Sequence, residues 1–203
     1  MLSFNFWDTE TGYVNGGHYY GAKRVLGVMA NFDYQVLRDA DPPAAGIAKN
    51  AYKGFSAAAF MNLPLNGPNP RGGDELAGLV QWGLYDGGLR GAPTAPTNVG
   101  TYPNVLKQWN VLAEAAYYSH ALKFSVFGKY EMRKISDIYV AALQASSNQQ
   151  WFAFGLKYYP APFNLMNFGL QYERINFPDS DKAATPQQSG THNVTFQMQT
   201  FLY

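Results

Sequence analysis

The sequence predicts an all-β, antiparallel fold of about nine strands, and two observations carry this prediction. Across the 203 residues, apolar and polar side chains alternate with a period of two, whereas helical spacing is rare. Apolar residues make up 47% of the chain and charged residues only 14%, although soluble domains carry about 25% charged residues. Fine interleaving of apolar and polar residues fits these values better than a separate core and a charged surface do.

The first four predicted strands each place their apolar residues on one face. They run from Leu2 to Trp7, from Arg24 to Val36, near residues 52–63 and near residues 75–85. The spacing of two puts the apolar residues on one side of a strand and the polar residues on the other. In the second strand the apolar positions are Leu26, Val28, Ala30, Phe32 and Tyr34.

The other five predicted strands include two hairpins. The fifth and sixth, near residues 111–117 and 122–133, flank a tight turn near Ser119. The seventh and eighth form the stretch WFAFGLKYYPAPFNLMNFGLQYE, residues 151–173, in which alternation continues on both sides of a proline-containing turn. The ninth spans Asn193 to Tyr203.

Strand length and loop layout predict that the sheet belongs to a transmembrane β-barrel. Tilted strands of about 10 to 13 residues cover the roughly 25 Å apolar band of an outer membrane, whereas soluble strands usually have about five or six residues. Short turns near residues 119–121 and 160–164 alternate with long polar connections, as in such barrels. A soluble β-sandwich with an aromatic-rich core is an alternative.

Two further features concern the membrane. The longest apolar runs have about five residues, and a membrane helix needs about 18, so the sequence predicts no spanning helix. Aromatic residues make up 16% of the chain, and many Tyr and Trp residues lie near predicted strand ends. These two residue types prefer the membrane interface, because each combines an apolar ring with a polar group.

Two stretches resemble the phosphate-selective porin O and P family. Residues 6–35, FWDTETGYVNGGHYYGAKRVLGVMANFDYQ, are similar to the family's short strand, acidic Gly-Tyr turn and start of a long strand. The stretch AAAFMNLPL followed by LAGLVQWGLYD is similar to the next hairpin. The resemblance implies a porin of the Gram-negative bacterial outer membrane, typically a homotrimer of barrels with about 16 to 18 strands. Its water-filled channel would pass small polar solutes or ions by diffusion, including anions such as phosphate.

The number of strands and the start of the sequence indicate whether the chain is a whole barrel or part of a larger one. About nine strands is an odd number, which would not close the usual even-stranded barrel, and the start MLSFNFWDTE does not have the pattern of a signal peptide. We therefore expect residues 1–203 to be the C-terminal part of a porin. Expected partners are outer-membrane lipid, small polar solutes or anions, and further copies. With a formal net charge of +1 and no basic stripe, neither nucleic acid nor any cofactor is expected.

Side chains opposite the apolar positions are predicted to line the channel. A ring of cations would select anions, and three of the candidate cations share one predicted strand. Because both signs of charge are present, a weakly selective pore is favoured over a phosphate-tuned one. Pairing of opposite charges across strands is the simplest interpretation of the mixture. The predicted pore-lining residues are Lys53, Lys123, Lys129, Arg133, Lys157, Asp33, Glu114, Glu131, Glu173 and Asn31.

An enzymatic barrel with a lipase-like or protease-like site is a further alternative, but the residues favour a protein that is not an enzyme. Such a site needs a His close to a nucleophile. Ser119 precedes His120 directly, and neighbours in a strand point to opposite faces, so His120 is predicted to be a turn residue. The three His residues lack metal-ligand spacing, and the chain has no cysteine. Arg90 is predicted to lie in an external loop, with a loop folded into the channel as the alternative.

Overall fold

A computed structural model of the chain describes residues 2–8, 19–35, 48–49, 52–86, 89–90, 108–135, 148–160, 166–178 and 190–200. In this part of the chain the fold is all-β, with eleven strands. The strands are β1 (Leu2–Asn5), β2 (Val25–Gln35), β3 (Ala48–Lys49), β4 (Tyr52–Pro64), β5 (Glu75–Asp86), β6 (Leu89–Arg90), β7 (Gln108–Ser119), β8 (Phe124–Ile135), β9 (Gln149–Tyr158), β10 (Met166–Asn176) and β11 (Gly190–Thr200). Within the same residues, no helix has the length and apolar character needed to span a membrane.

Nine of the strands form one antiparallel sheet. Its order is β1-β2-β4-β5-β7-β8-β9-β10-β11, and the two-residue strands β3 and β6 pair with each other separately. The nine strands predicted from alternation correspond to these nine, which confirms the antiparallel all-β fold. In the described part of the chain the sheet is open, and β1 and β11 are its two edge strands.

Several strand ends differ from the sequence prediction, among them the start of the ninth strand, which lies at Gly190 rather than at Asn193. The first strand ends at Asn5 rather than at Trp7. The sixth predicted strand begins at Leu122, but β8 begins at Phe124 because residues 120–123 form the turn after β7. Lys123 has a φ angle of 55° in this turn, a left-handed conformation that a regular strand does not contain. Residues 201–203, the end of the ninth predicted strand, lie outside the described residues.

The two faces of the sheet differ in polarity because side chains alternate along each strand. One face, here the apolar face, carries the exposed residues Val28, Phe32, Val80, Phe154 and Phe196. The opposite face, here the polar face, carries mainly Asn, Gln, Ser, Gly, small Ala and charged residues, interrupted by a few larger apolar side chains. Alternation along the sequence therefore corresponds to a physical separation of the two faces.

The closely packed part of the protein lies at one end of the polar face. Residues 65–74 and 120–123 connect neighbouring strands at this end, which we call the turn end; the opposite end is the loop end. Residues 19–24 also lie at the turn end, where the ring of Tyr20 contacts Tyr118 and Tyr159. The buried hydrophobic residues are Val25, Phe60, Ala116, Tyr118, Ala153 and Tyr159.

Candidate functional site

Three charged side chains of β8 form the centre of the polar face. The ammonium group of Lys129 lies 3.2 Å from a carboxylate oxygen of Glu131. The guanidinium group of Arg133 donates a hydrogen bond of 2.8 Å to the side-chain oxygen of Gln149 and lies 5.7 Å from the ring centroid of Trp151. Both signs of charge thus alternate along one strand, and each cation contacts an acceptor or an aromatic ring on the same face.

The strands beside β8 add further predicted residues to the polar face. Glu114 of β7 is the cross-strand partner of Lys129, and Ala153 of β9 separates Lys129 from Glu173 of β10. Lys157 lies towards the turn end, with its ammonium group 5.1 Å from the ring centroid of Phe127. Across β7 to β10, the polar face therefore combines cations and carboxylates rather than a run of one sign.

Asn31 and Asp33 form a separate polar pair on β2. The amide nitrogen of Asn31 donates a hydrogen bond of 2.8 Å to the carboxylate of Asp33. These residues also lie on the polar face, because Asn31 pairs with Ser56 and Asp33 pairs with Gly54. Three strands, β4, β5 and β7, separate them from β8, so the predicted residues are distributed along the sheet and do not form one cluster.

The prediction that Lys53 lies opposite the apolar residues is wrong. Lys53 is the cross-strand partner of Tyr34 on β2 and of Asp86 on β5. It is two residues from Phe55, and the regular register of β4 puts both side chains on the apolar face. Lys53 marks the loop end of that face, where the apolar residues stop.

Lys123 and Arg90 lie in other elements than predicted: Lys123 lies in a turn rather than a strand, and Arg90 lies in a two-residue strand rather than a loop. Lys123 is exposed in the turn after β7, and its ammonium group lies 3.4 Å from Nε2 of His120. Lys123 was predicted from alternation on a strand, and that position is wrong because the turn extends through residue 123. Arg90 belongs to β6 and pairs with Ala48 of β3.

A buried carboxylate organises the turn end of the polar face. Glu75, at the start of β5, has 0% of its surface exposed. Its oxygens accept hydrogen bonds from the backbone N–H of Tyr19 at 3.1 Å, from that of Gly21 at 2.9 Å and from the side-chain amide of Asn62 at 3.0 Å. A buried carboxylate needs several such donors to offset the loss of water. Alternation along β5 puts Glu75 on the polar face, but it gives no sign of the burial of this side chain.

The segment that Glu75 holds is a tight turn. The N–H of Ala22 donates to the carbonyl of Tyr19 at 3.0 Å, and the φ angles of Tyr20 and Gly21 are 56° and 74°. Positive φ at both central positions is the geometry of a type I′ turn. A Cβ atom at Gly21 would lie 2.7 Å from the backbone of Gly73, so only glycine allows this close approach.

A small cavity lies between this turn and the sheet. It has a volume of about 350 Å³, and its lining includes Tyr19, Tyr118, Arg71, His120 and Lys123. The rings of Tyr118 and Tyr159 contact each other edge to face with centroids 5.7 Å apart. The cavity thus combines aromatic walls with two cations at the turn end of the polar face.

Tyr20 and Tyr159 lie outside the strands, and burial disfavours ionisation of both phenols. Burial raises the pKa of Tyr159 to about 12, with further contributions from Tyr118 and from the charge of Glu75. Burial also raises the pKa of Tyr20, and Tyr159, Tyr118 and Glu75 add to the effect. Both phenols therefore remain neutral at physiological pH and can act as hydrogen-bonding groups.

At the turn end, His120 lies beside the carboxylate of Asp74. His120 is a turn residue, as predicted, and its backbone N–H donates to the carboxylate of Asp74 at 2.7 Å. The described residues contain no group of three or more His, Asp or Glu side chains placed to hold a metal ion. The polar face can instead solvate small polar molecules through its amide, carboxylate and cationic groups.

Comparisons of the chain with models of known protein families, with curated proteins and with solved structures find no match.

Proposed function

We propose that this chain forms part of the wall of an outer-membrane β-barrel and that its polar face lines a water-filled channel for small polar solutes or ions. One observation carries the proposal: along strands of up to 13 residues, large apolar side chains are exposed on one face while charged and polar side chains occupy the other. A bilayer on one side and water on the other satisfy both faces at once.

The exposure of the apolar face is extensive. Exposed fractions reach 64% for Phe32, 62% for Phe154 and 70% for Phe196, which lie on β2, β9 and β11. Monomeric soluble proteins rarely expose contiguous apolar patches larger than a few hundred Å². The soluble β-sandwich would have to cover this face with a second sheet, whereas lipid covers it without further protein.

Strand length supports the same proposal. The full-length strands of the sheet have 10 to 13 residues, apart from the short edge strand β1. At about 3.3 Å per residue, 12 residues extend for roughly 40 Å, and a tilt of about 35–45° leaves roughly 30 Å along the membrane normal. This length is sufficient to cross an apolar band of roughly 25 Å.

The charges of the polar face favour weak selectivity. Lys129, Arg133 and Lys157 lie on the same face as Glu114, Glu131 and Glu173, and Lys129 is paired with Glu131. Anion selectivity requires an excess of cations around the channel. We therefore propose a general pore rather than one tuned for phosphate. The resemblance to the phosphate-selective porins supports an outer-membrane location and a homotrimer.

The open edges of the sheet fit a larger barrel. β1 and β11 each have one neighbour within the described residues, and an unpaired strand edge in a membrane leaves backbone groups without hydrogen bonds. Further strands that pair with β1 and β11 would close the barrel, and the proposed barrel has more strands than the nine of this sheet.

Conductance with two adjacent single-cysteine variants tests the channel. Glu131→Cys lies on the polar face of β8, and Tyr130→Cys lies beside it on the apolar face; the chain has no other cysteine. Protein extracted from membranes is inserted into planar bilayers, and a bulky water-soluble thiol reagent is added. We expect the current to fall for Glu131→Cys and to stay constant for Tyr130→Cys. Absence of any single-channel current, or equal block of both variants, contradicts the proposal.

A further inference from the structure

The apolar face has a sharp border towards the loop end of the strands. On this face, each of six strands has a charged or strongly polar residue just beyond its last apolar residue. The border residues are Lys53 on β4, Asp86 on β5, Lys134 on β8, Gln150 on β9, Arg174 on β10 and His192 on β11. Each of them lies two residues along the strand from an apolar or aromatic residue of the same face, such as Phe55, Leu84 or Met132.

The border does not run at right angles to the strands. Cross-strand pairing connects one row of residues across the sheet, here the central row: Ala59, Val80, Ala113, Tyr130, Phe152, Arg174 and His192. Lys53 and Asp86 lie six residues from the central row, Lys134 lies four and Gln150 two residues from it. Arg174 and His192 lie on the central row itself. The border therefore moves by about one residue with each strand from β4 to β11.

The ends of the strands at the turn end shift in the same direction. The last apolar-face residue within each strand lies four residues from the central row at Leu63 and Leu76, on β4 and β5. It lies six residues from the central row at Phe124 and Tyr158, and eight at Met166. The loop-end border and the strand ends at the turn end are thus both oblique to the strands, and the apolar band within the strands keeps a nearly constant width.

Strands that cross a flat layer at a tilt are covered by it along a band with parallel limits, and this band runs obliquely to the strands. We infer that the apolar face is covered by a lipid bilayer whose loop-side surface passes through Lys53, Asp86, Lys134 and Arg174. A shift of one residue, about 3.3 Å, for each strand spacing of about 4.8 Å corresponds to a tilt of about 35° from the bilayer normal. This inference rests on the proposed function and adds to it the position and the angle of the membrane surface.

Aromatic residues on the border support lipid as the occupant. Tyr34 pairs with Lys53, and Trp109 pairs with Lys134. Tyr172 lies two residues before Arg174 on the same face of β10. Its hydroxyl group lies 2.5 Å from Nδ1 of His192. Tyr and Trp beside cationic residues are typical of the zone where lipid head groups meet the acyl chains. A protein partner would not require this alternation of ring and charge along a straight border.

Four nitroxide labels test the position and the angle of the border, because the natural chain contains no cysteine. Lys53→Cys and Arg174→Cys lie on the proposed surface. Ala57→Cys and Asn176→Cys belong to one row of cross-strand partners that runs through Trp82, Val111, Met132 and Gln150. The labelled protein is inserted into phosphatidylcholine vesicles. Label depth is measured from relaxation by oxygen, which partitions into lipid, and by a water-soluble nickel chelate.

We expect equal depth at Lys53 and Arg174, a label at Ala57 about 11 Å deeper, and a label at Asn176 in water. Equal depth at Ala57 and Asn176 would mean that the border follows the rows, and would overturn the tilt while leaving the membrane location intact. Exposure of all four labels to the nickel chelate would overturn the proposed function as well. Protection of the labels from both reagents would identify a protein, such as a second copy, as the occupant in place of lipid.

Discussion

Glu75 and Tyr19 are 56 residues apart in the sequence, and the carboxylate of Glu75 accepts a hydrogen bond from the backbone N–H of Tyr19 at 3.1 Å. This contact, with that of Gly21, fastens the turn at residues 19–22 against the start of β5. Tyr20 of this turn packs against the buried rings of Tyr118 and Tyr159. One carboxylate thus connects a local turn to the packed part of the polar face.

Replacement of this carboxylate should destabilise the protein strongly. Glu75→Ala removes the acceptor of two backbone N–H groups and of the amide of Asn62, and each buried donor without a partner costs about 1–3 kcal/mol. We expect the free energy of unfolding to fall by roughly 3–5 kcal/mol, measured by denaturant titration in detergent micelles. Glu114→Ala, an exposed carboxylate of the same face, is the control. Equal losses for the two variants would show that the Glu75 contacts contribute little.

The buried phenol of Tyr159 predicts a loss of stability at alkaline pH. Burial, Tyr118 and Glu75 raise its pKa to about 12, and an unfolded tyrosine has a pKa of about 10. Between these values the unfolded state binds fewer protons than the native state, so the free energy of unfolding falls as pH rises. We expect Tyr159→Phe to lose less stability than the natural protein between pH 10 and about 12. If the free energy of unfolding of Tyr159→Phe falls with pH as steeply as that of the natural protein, burial of this phenol is not the cause of the loss.

Charge reversal on the two faces of β8 predicts different effects on ion selectivity. Arg133 lies on the polar face and Lys134 on the apolar face at its border. Two unit charges a few ångströms apart in water interact by about 1 kcal/mol, so Arg133→Glu should lower the anion/cation permeability ratio a few-fold. Lys134→Glu carries the same change in charge outside the proposed channel. Reversal potentials under a salt gradient measure the ratio, and an equal shift in both variants would place neither residue in the channel.

A cation in the middle of the apolar band should oppose membrane insertion. Val80 is 55% exposed near the centre of the band on β5, and an Arg on the lipid face of a barrel costs about 2–4 kcal/mol at the bilayer midplane. We expect Val80→Arg to lower the stability of folding into vesicles by this amount. Gln81→Arg introduces the same side chain on the polar face and should cost much less. If Gln81→Arg is the more costly change, the assignment of the two faces is reversed.

The period of two was sufficient to predict most of the strands and their faces. It placed Asn31 and Asp33 opposite Val28 and Phe32, and it placed Lys129, Glu131 and Arg133 together on β8, as the structure does. The same spacing puts Lys53 on the apolar face, because Lys53 and Phe55 are two residues apart, so the pore-lining prediction for Lys53 did not follow from the alternation of β4. It fails for Lys123 because a left-handed residue in a turn interrupts alternation without leaving a glycine in the sequence.

The sequence by itself determined the all-β fold, the strand order of each hairpin and the polarity of the two faces, because these depend on neighbours along the chain. Only the tertiary structure decided the burial of Glu75 and the oblique course of the apolar band. Burial of Glu75 needs donors from the segment at residues 19–21, more than 50 residues away. The oblique band depends on the register between strands, in which small offsets accumulate across the sheet. Neither distance nor register is encoded by alternation within a single strand.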